Sequence, residues 1–238
     1  ENTEPKRSWK NCWDSWAQPY LNKAMEMGLI TEEDTDFRYN GLPCTRGNMA
    51  KIATRAFEYL KEEDIADTST YATKLKDYSD IPDKFKKYVL QAYGKGIISG
   101  YEDGTFKPNN SITREEASML LYKTAQYMGY NDFYEDYKLS DYKYADDEEI
   151  GEWAKEAVYQ MNKAEIMTGM GDDMFSPKSN YTNEQSISTI MRLYDLQNKP
   201  KSTPTPTLAP IPEPTEVPTT EETDIPETDG GETTVQEN

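Results

Sequence analysis

One unit is written three times along this chain of 238 residues, and that constrains its fold more than any other feature. Shifted by 69 residues, ISGYEDGTFKPNNSITREE lies over MTGMGDDMFSPKSNYTNEQ without a gap. Ile97, Gly100, Asp103, Phe106, Pro108, Thr113 and Glu115 meet Ile166, Gly169, Asp172, Phe175, Pro177, Thr182 and Glu184. A shift of 68 the other way is weaker but keeps register. It sets Tyr88, Ala92, Gly96, Ile98, Thr113 and Arg114 on Tyr20, Ala24, Gly28, Ile30, Thr45 and Arg46. A repeat of this length is one supersecondary unit that buries its apolar face only against its neighbours.

Each unit reads as helix, loop, helix. Apolar residues recur at helical spacing before each loop: Trp13, Trp16, Tyr20 and Ala24; then Phe85, Tyr88, Val89 and Ala92; then Ile150, Trp153, Ala154, Ala157, Val158 and Met161. These are read as core-facing stripes. Each loop ends at a threonine that opens the second helix. Thr113 with Glu116 and Thr182 with Gln185 are capping boxes, and Thr45 with Asn48 is a weaker version. Gly104 corresponds to Asp36 and Asp173, residue types that tolerate left-handed backbone, so one turn shape is expected in all three copies. The expected fold is mainly α: helix–loop–helix repeats at residues 9–62, 76–130 and 139–197 in one assembly. Residues 198–238 form a Pro/Thr/Glu-rich tail or linker, expected to be disordered. All 28 aromatic residues lie at or before Tyr194, and a segment with almost nothing apolar does not offset its ordering entropy. The tail reads as a spacer, or as a terminus with no role of its own.

The net charge of −18 argues against a general nucleic-acid binder, because phosphate contacts need a basic face. No stretch approaches the roughly 20 apolar residues needed to cross a bilayer. The chain starts with Glu1 and shows no signal-peptide pattern, as a processed secreted protein or a trimmed sequence would. It contains no histidine, which removes a His-based triad and His-ligated metal sites, and no Gly-rich phosphate motif is present. Glu115 and Glu116 are a carboxylate pair of the kind a glycosidase uses, but Glu116 is more economically a cap. Taking Gly104 as the sixth position of a calcium loop puts Ser99, Tyr101 and Asn110 where acidic ligands belong, so that match fails. No cofactor or metal is expected, and no catalysis. The two cysteines, Cys12 and Cys44, are expected to pair as a disulfide. That bond would constrain the unfolded chain by roughly 3–4 kcal/mol for a loop of about 30 residues. A nucleophilic cysteine is the alternative, without a histidine base.

GIISGYEDGTFKPNNSITREEA resembles the signature of S-layer homology repeats: a Gly-rich turn, Phe-x-Pro, then Thr-Arg-x-Glu. Tyr78-Ser79-Asp80 and Leu139-Ser140-Asp141 resemble the Phe-Ser-Asp that opens such repeats, and Trp16-Ala17 and Trp153-Ala154 the Trp-Ala of their first helix. The resemblance spans about residues 9–196, strongest in the second repeat and poorest in the first. It implies a pseudo-threefold helical bundle on an exported, surface-attached protein of mainly Gram-positive bacteria. Such modules bind secondary cell-wall polymers, often pyruvylated amino-sugar glycans, in grooves between the repeats. Carried onto this chain, the site residues are Arg114 and Arg46, Thr113 and Thr45, Gly100, Asp103 and Asp80, with Trp16 and Trp153 as sugar-stacking candidates. An arginine at a helix start adds a forked cationic donor to unsatisfied N–H groups, an arrangement that suits a carboxylate. Alternatively, Arg46 and Arg114 pair with acidic side chains of the adjacent repeat. Asn183 stands where the third arginine is expected, so that groove is expected to be weak or closed. The implied partner is an anionic cell-wall polysaccharide, bound by a monomer. A surface scaffold that binds protein rather than glycan is the competing reading.

Overall fold

The computed structural model describes residues 13–37, 41–61, 68–130 and 142–198. Among them lie seven α-helices and no strand: α1 (Gln18–Glu26), α2 (Arg46–Lys61), α3 (Ser69–Ala72), α4 (Asp83–Gly94), α5 (Arg114–Tyr127), α6 (Glu152–Lys163) and α7 (Asn183–Asn198). Cys12, the Leu139–Asp141 motif and the tail from residue 199 onward fall outside the described residues.

The two helices of a repeat find their main partners in other repeats. Helix α2 packs on α4, α5 on α6, and α7 on α1, so each second helix covers the first helix of the following unit and the third repeat closes back on the first. The second helices α2, α5 and α7 also touch pairwise along the centre. This ring is the pseudo-threefold bundle. It explains why the second helices are apolar on more than one face: on α5, Ala117, Leu121 and Ala125 are fully buried and Leu120 and Tyr122 nearly so. Phe37, Phe106 and Phe175, one per loop, are also fully buried, each contributing roughly 1.5–3 kcal/mol of apolar transfer.

A three-membered ring of backbone hydrogen bonds sits at the hub, just ahead of the second helices. The Cys44 N–H donates to the Tyr181 carbonyl (2.6 Å), Tyr181 N–H to Ile112 (2.9 Å), and Ile112 N–H to Cys44 (2.9 Å). Three isolated bridges flank it: Pro43 with Thr182, Thr45 with Ser111, and Thr113 with Asn180. These pairings satisfy buried peptide groups with no sheet present.

The turn reading holds for two copies. Gly104 (φ +83°) and Asp173 (φ +55°) are left-handed. Asp36 instead lies in a 3-10 turn, Thr35–Phe37, because the first loop is built on a different polar centre. There Asp34 accepts hydrogen bonds from the Thr31 N–H (2.8 Å), Arg55 Nη1 (2.6 Å) and Lys51 Nζ. The stripe reading needs a second correction. Trp13 is buried, its indole N–H donating to the Phe37 carbonyl (3.1 Å), but Trp16 and Trp153 are 47% and 54% exposed. Each first helix points only a narrow face inward, and these two indoles lie off it.

Candidate functional site

The helix-start arginines reach across to the loop of the next repeat. Arg46 donates from Nε to the Phe106 carbonyl (2.9 Å) and from Nη2 to Ser99 (3.2 Å). Arg114 repeats this one unit on, from Nε to Phe175 (2.8 Å) and from Nη2 to Thr168 (2.8 Å). Asn183, the third member, donates from Nδ2 to the Asp36 carbonyl (2.8 Å), so it performs the same bridging with a shorter arm. Aromatic faces complete the seats. Arg46 lies 4.3 Å from the Tyr101 centroid and Arg114 4.9 Å from that of Phe175, distances at which a cation is attracted to the ring.

The helix-start amides expected to face an anion are already used. Arg46 and Gly47 N–H groups donate to the Asn110 and Pro108 carbonyls, Arg114 and Glu115 to Ser179 and Pro177, and Asn183 to Leu42. Inter-repeat closure satisfies them, because a loop that wraps over a helix start brings its own carbonyls. An anion bound here meets side chains rather than bare helix ends.

Acidic side chains outside the expected set hold the loops and helix starts. Asp77 accepts from the Phe106 and Lys107 N–H groups (both 2.8 Å), and Asp146 accepts from Phe175 (2.8 Å) and Ser176 (2.7 Å). They are 69 residues apart and open their repeats in the role assigned from sequence to Asp80. Asp80 itself is exposed and accepts only from Ser79 Oγ (3.3 Å). The Glu115 carboxylate accepts from Gly151 N–H (3.0 Å) at the start of α6, and Glu184 from Asp14 N–H (2.8 Å) ahead of α1. The corresponding pair at α4 is Gly47 and Pro82. Proline has no N–H to donate, and a Cβ on Gly47 would come within 2.7 Å of the Phe85 ring. Carboxylate and N–H are therefore lost together where they cannot be used.

An open groove of about 1050 Å³ lies where the three repeats meet. Its walls are Arg46 from the first repeat, the 96–103 loop with Phe106, Glu116 and Lys123 from the second, and Trp153 from the third. Gly100 is required there, since a Cβ would stand 3.0 Å from the Thr105 carbonyl oxygen. The Trp153 indole folds over Gly151, with Nε1 2.4 Å from where a Cβ would sit. The indole face is thus held by the backbone while remaining open to solvent. Glu116 accepts from Arg46 Nη1 (3.3 Å), Tyr101 Oη (3.0 Å) and Thr113 N–H (2.9 Å).

The structure brings Arg46, Gly100, Asp103 and Trp153 into this one groove. Thr113 and Thr45 cap their helices, Oγ1 accepting from Glu116 N–H (3.3 Å) and Asn48 N–H (3.1 Å). Asp103 is exposed and orders its own turn; Lys107 and the Thr105 hydroxyl and N–H hold its carboxyl far below the usual range. Arg114 and Trp16 belong to the equivalent position one repeat on. The alternative that Arg46 pairs with an acid of the adjacent repeat holds, and Glu116 is that acid; sequence reasoning missed Tyr101 and Lys123, because no motif marks a residue whose role depends on the neighbouring repeat. Cys44 is a free, fully buried thiol, and burial pushes its pKa up to about 12. Its expected disulfide partner, Cys12, lies outside the described residues. No cluster of metal-ligating side chains occurs among the described residues, and none of their helices is long and apolar enough to cross a membrane.

A closed ring of three helix–loop–helix repeats, bridged at the helix starts by Arg46, Arg114 and Asn183, defines a repeat-built helical module. The S-layer homology domain family matches residues 74–118 and 143–182, so the chain carries S-layer homology domain sequence in those two segments. Both segments begin just ahead of Asp77 and Asp146. The chain is similar to an endoglucanase of Bacillus sp. (strain KSM-635), 28% identical over 185 residues, which is 75% of this chain and 18% of that protein. It is 30% identical over 108 residues to a cellulosome-anchoring protein of Acetivibrio thermocellus, covering 44% and 22% of the two chains. Outer membrane protein SlpA of Thermus thermophilus is 41% identical over 54 residues, 22% of this chain and 6% of its own. The chain thus spans under a quarter of the length of each of these relatives, and its matches to the enzymes cover their repeat part.

Proposed function

We propose that this chain is a non-covalent anchor that holds a protein at a bacterial cell surface by binding cell-wall glycan. The polymer proposed is an anionic secondary polymer with pyruvate-bearing amino sugars, bound by a monomer of a secreted protein, in a host proposed to be Gram-positive. The observation that carries this reading is the groove: an exposed indole lying over Gly151 lines it together with Arg46 and the exposed Lys123. A flat aromatic face beside side-chain cations suits a pyranose ring of an anionic polymer. The family, and the name of the cellulosome-anchoring relative, support the same role. Catalysis forms no part of the proposal, since the aligned segment is a small fraction of the relatives named as enzymes. The scaffold alternative gains no specific support, because the groove is concave rather than a flat face.

The test is co-sedimentation of the full chain with cell-wall sacculi, before and after the secondary polymer is stripped, alongside Trp153→Ala. Binding to intact walls only, weakened by the substitution, supports the anchor. Equal binding to stripped walls removes the glycan reading.

A further inference from the structure

The three seams between repeats share one design and differ in electrical charge. Each helix-start residue faces one position on the second helix of the next repeat. In the first groove these two are Arg46 and Glu116, joined at 3.3 Å. In the third they are Asn183 and Asn48, whose side-chain amides meet at 3.3 Å. In the second the equivalent positions hold Arg114 and Gln185, and the carboxylate is missing. Gln185 keeps its capping role, its Oε1 accepting from Thr182 N–H (3.1 Å) while its Nε2 faces the Met170 sulfur. The helix start is preserved and only the countercharge is gone.

Arg114 is consequently a guanidinium 3% exposed whose hydrogen bonds go to two carbonyls. Among the described residues its Nη1 meets no hydrogen-bond acceptor. Burial lowers its pKa, the direction for a charge taken from water without a matching partner. The remaining groups do not restore balance. Asp146 is the nearby acid, but both its oxygens already hold the Phe175 and Ser176 N–H groups, as Asp77 does in the first groove. Loop acids are equal in number, Asp172 and Asp173 against Glu102 and Asp103. The cation one helical face along is kept, Arg192 in place of Lys123, and Arg192 donates to the Ile166 carbonyl and the Tyr20 hydroxyl rather than to an acid. Exposed Trp16 stands at the position of Trp153, with exposed Met170 at that of Tyr101. In the third groove, Lys84 occupies the tryptophan position and is tied to Asp36 (2.7 Å).

Resting on the glycan-binding reading above, we infer that the grooves divide the ligand by charge. The second groove, at Arg114, Gln185 and Trp16, takes the carboxylate-bearing sugar. The first groove, neutralised by Glu116, takes an uncharged sugar of the same polymer, and the third takes none. A desolvated cation with one donor still open gains most from a carboxylate, and Glu116 would repel that group from the first groove.

The experiment uses the full chain and two probes: a hexosamine glycoside carrying a pyruvate ketal, and the same glycoside as its neutral methyl ester. Calorimetry reads affinity, and the indole N–H resonances of Trp16 and Trp153 report the groove. The acid is expected to bind at least about tenfold more tightly than the ester and to shift Trp16. Gln185→Glu, isosteric and still able to cap Thr182, is expected to abolish that preference, and Glu116→Gln to create it at Trp153. Equal binding of acid and ester overturns the inference, as does loss of preference in Glu116→Gln rather than Gln185→Glu. Wall binding with neither probe bound overturns it while leaving the anchor intact; loss of wall binding itself removes the parent reading as well.

Discussion

Removing the Glu115 carboxylate tests whether charged staples between repeats stabilise this ring. Glu115 is 5% exposed, and its Oε2 accepts at 3.0 Å from the N–H of Gly151, the residue that precedes α6, while Lys178 sits on Oε1. In Glu115→Ala the Gly151 N–H loses its partner. A hydrogen bond to a charged group contributes about 1.5–3 kcal/mol. The Lys178 pair adds about 0–1 kcal/mol because the lysine side chain is mostly exposed. The loss is therefore about 2–4 kcal/mol, or roughly 5–15 °C in Tm for a folded unit of this size. Glu115→Gln keeps an acceptor oxygen and is expected to lose about half as much. Urea unfolding with linear extrapolation measures the change, and hydrogen exchange at the Gly151 amide reads the bond directly. A Glu115→Ala protein within about 0.5 kcal/mol of the parent, with Gly151 protection unchanged, would refute the staple.

Trp153→Ala is expected to change Tm by no more than about 2 °C, because the indole lies largely in solvent, while wall co-sedimentation falls; a large Tm loss would place the indole in the core. Asp34 is pushed up by burial but pulled down further by Arg55, Lys51 and the Thr31 N–H, from 3.8 to about 2. A folded pKa below the unfolded one gives stability that is present above pH 3.8 and lost as pH falls towards 2, here about 2 kcal/mol. Asp34→Asn should flatten the parent's stability curve across that window, and parallel curves would exclude the mechanism. In the reduced protein, Cys44 is expected to resist iodoacetamide at neutral pH until denaturant is added, because only the thiolate reacts; rapid labelling of the native chain would contradict its burial.

Periodicity alone carried the repeats, their helix–loop–helix form and the capping boxes, because these depend on residues close in sequence. The family resemblance added the threefold arrangement, and the helices bear it out. Legibility stopped wherever a residue's partner lies one repeat away. Asp77 and Asp146 share a 69-residue spacing, yet the short motif at Tyr78–Asp80 drew attention three residues too late. Trp16 and Trp153 fall on an apolar period that says nothing of how wide a face the bundle covers. The lack of a carboxylate on Gly47 reads as simple degeneracy until Pro82 is found opposite it.

The sequence by itself determined that three two-helix units must pack together, because none has a second surface on which to bury its stripe. Tertiary structure alone decided which helix covers which, that the helix-start amides are closed by neighbouring loops, and which arginine keeps a countercharge. Those outcomes follow from contacts some 60–70 residues apart along the chain, where local propensity has no influence and only closure of the ring selects the partner.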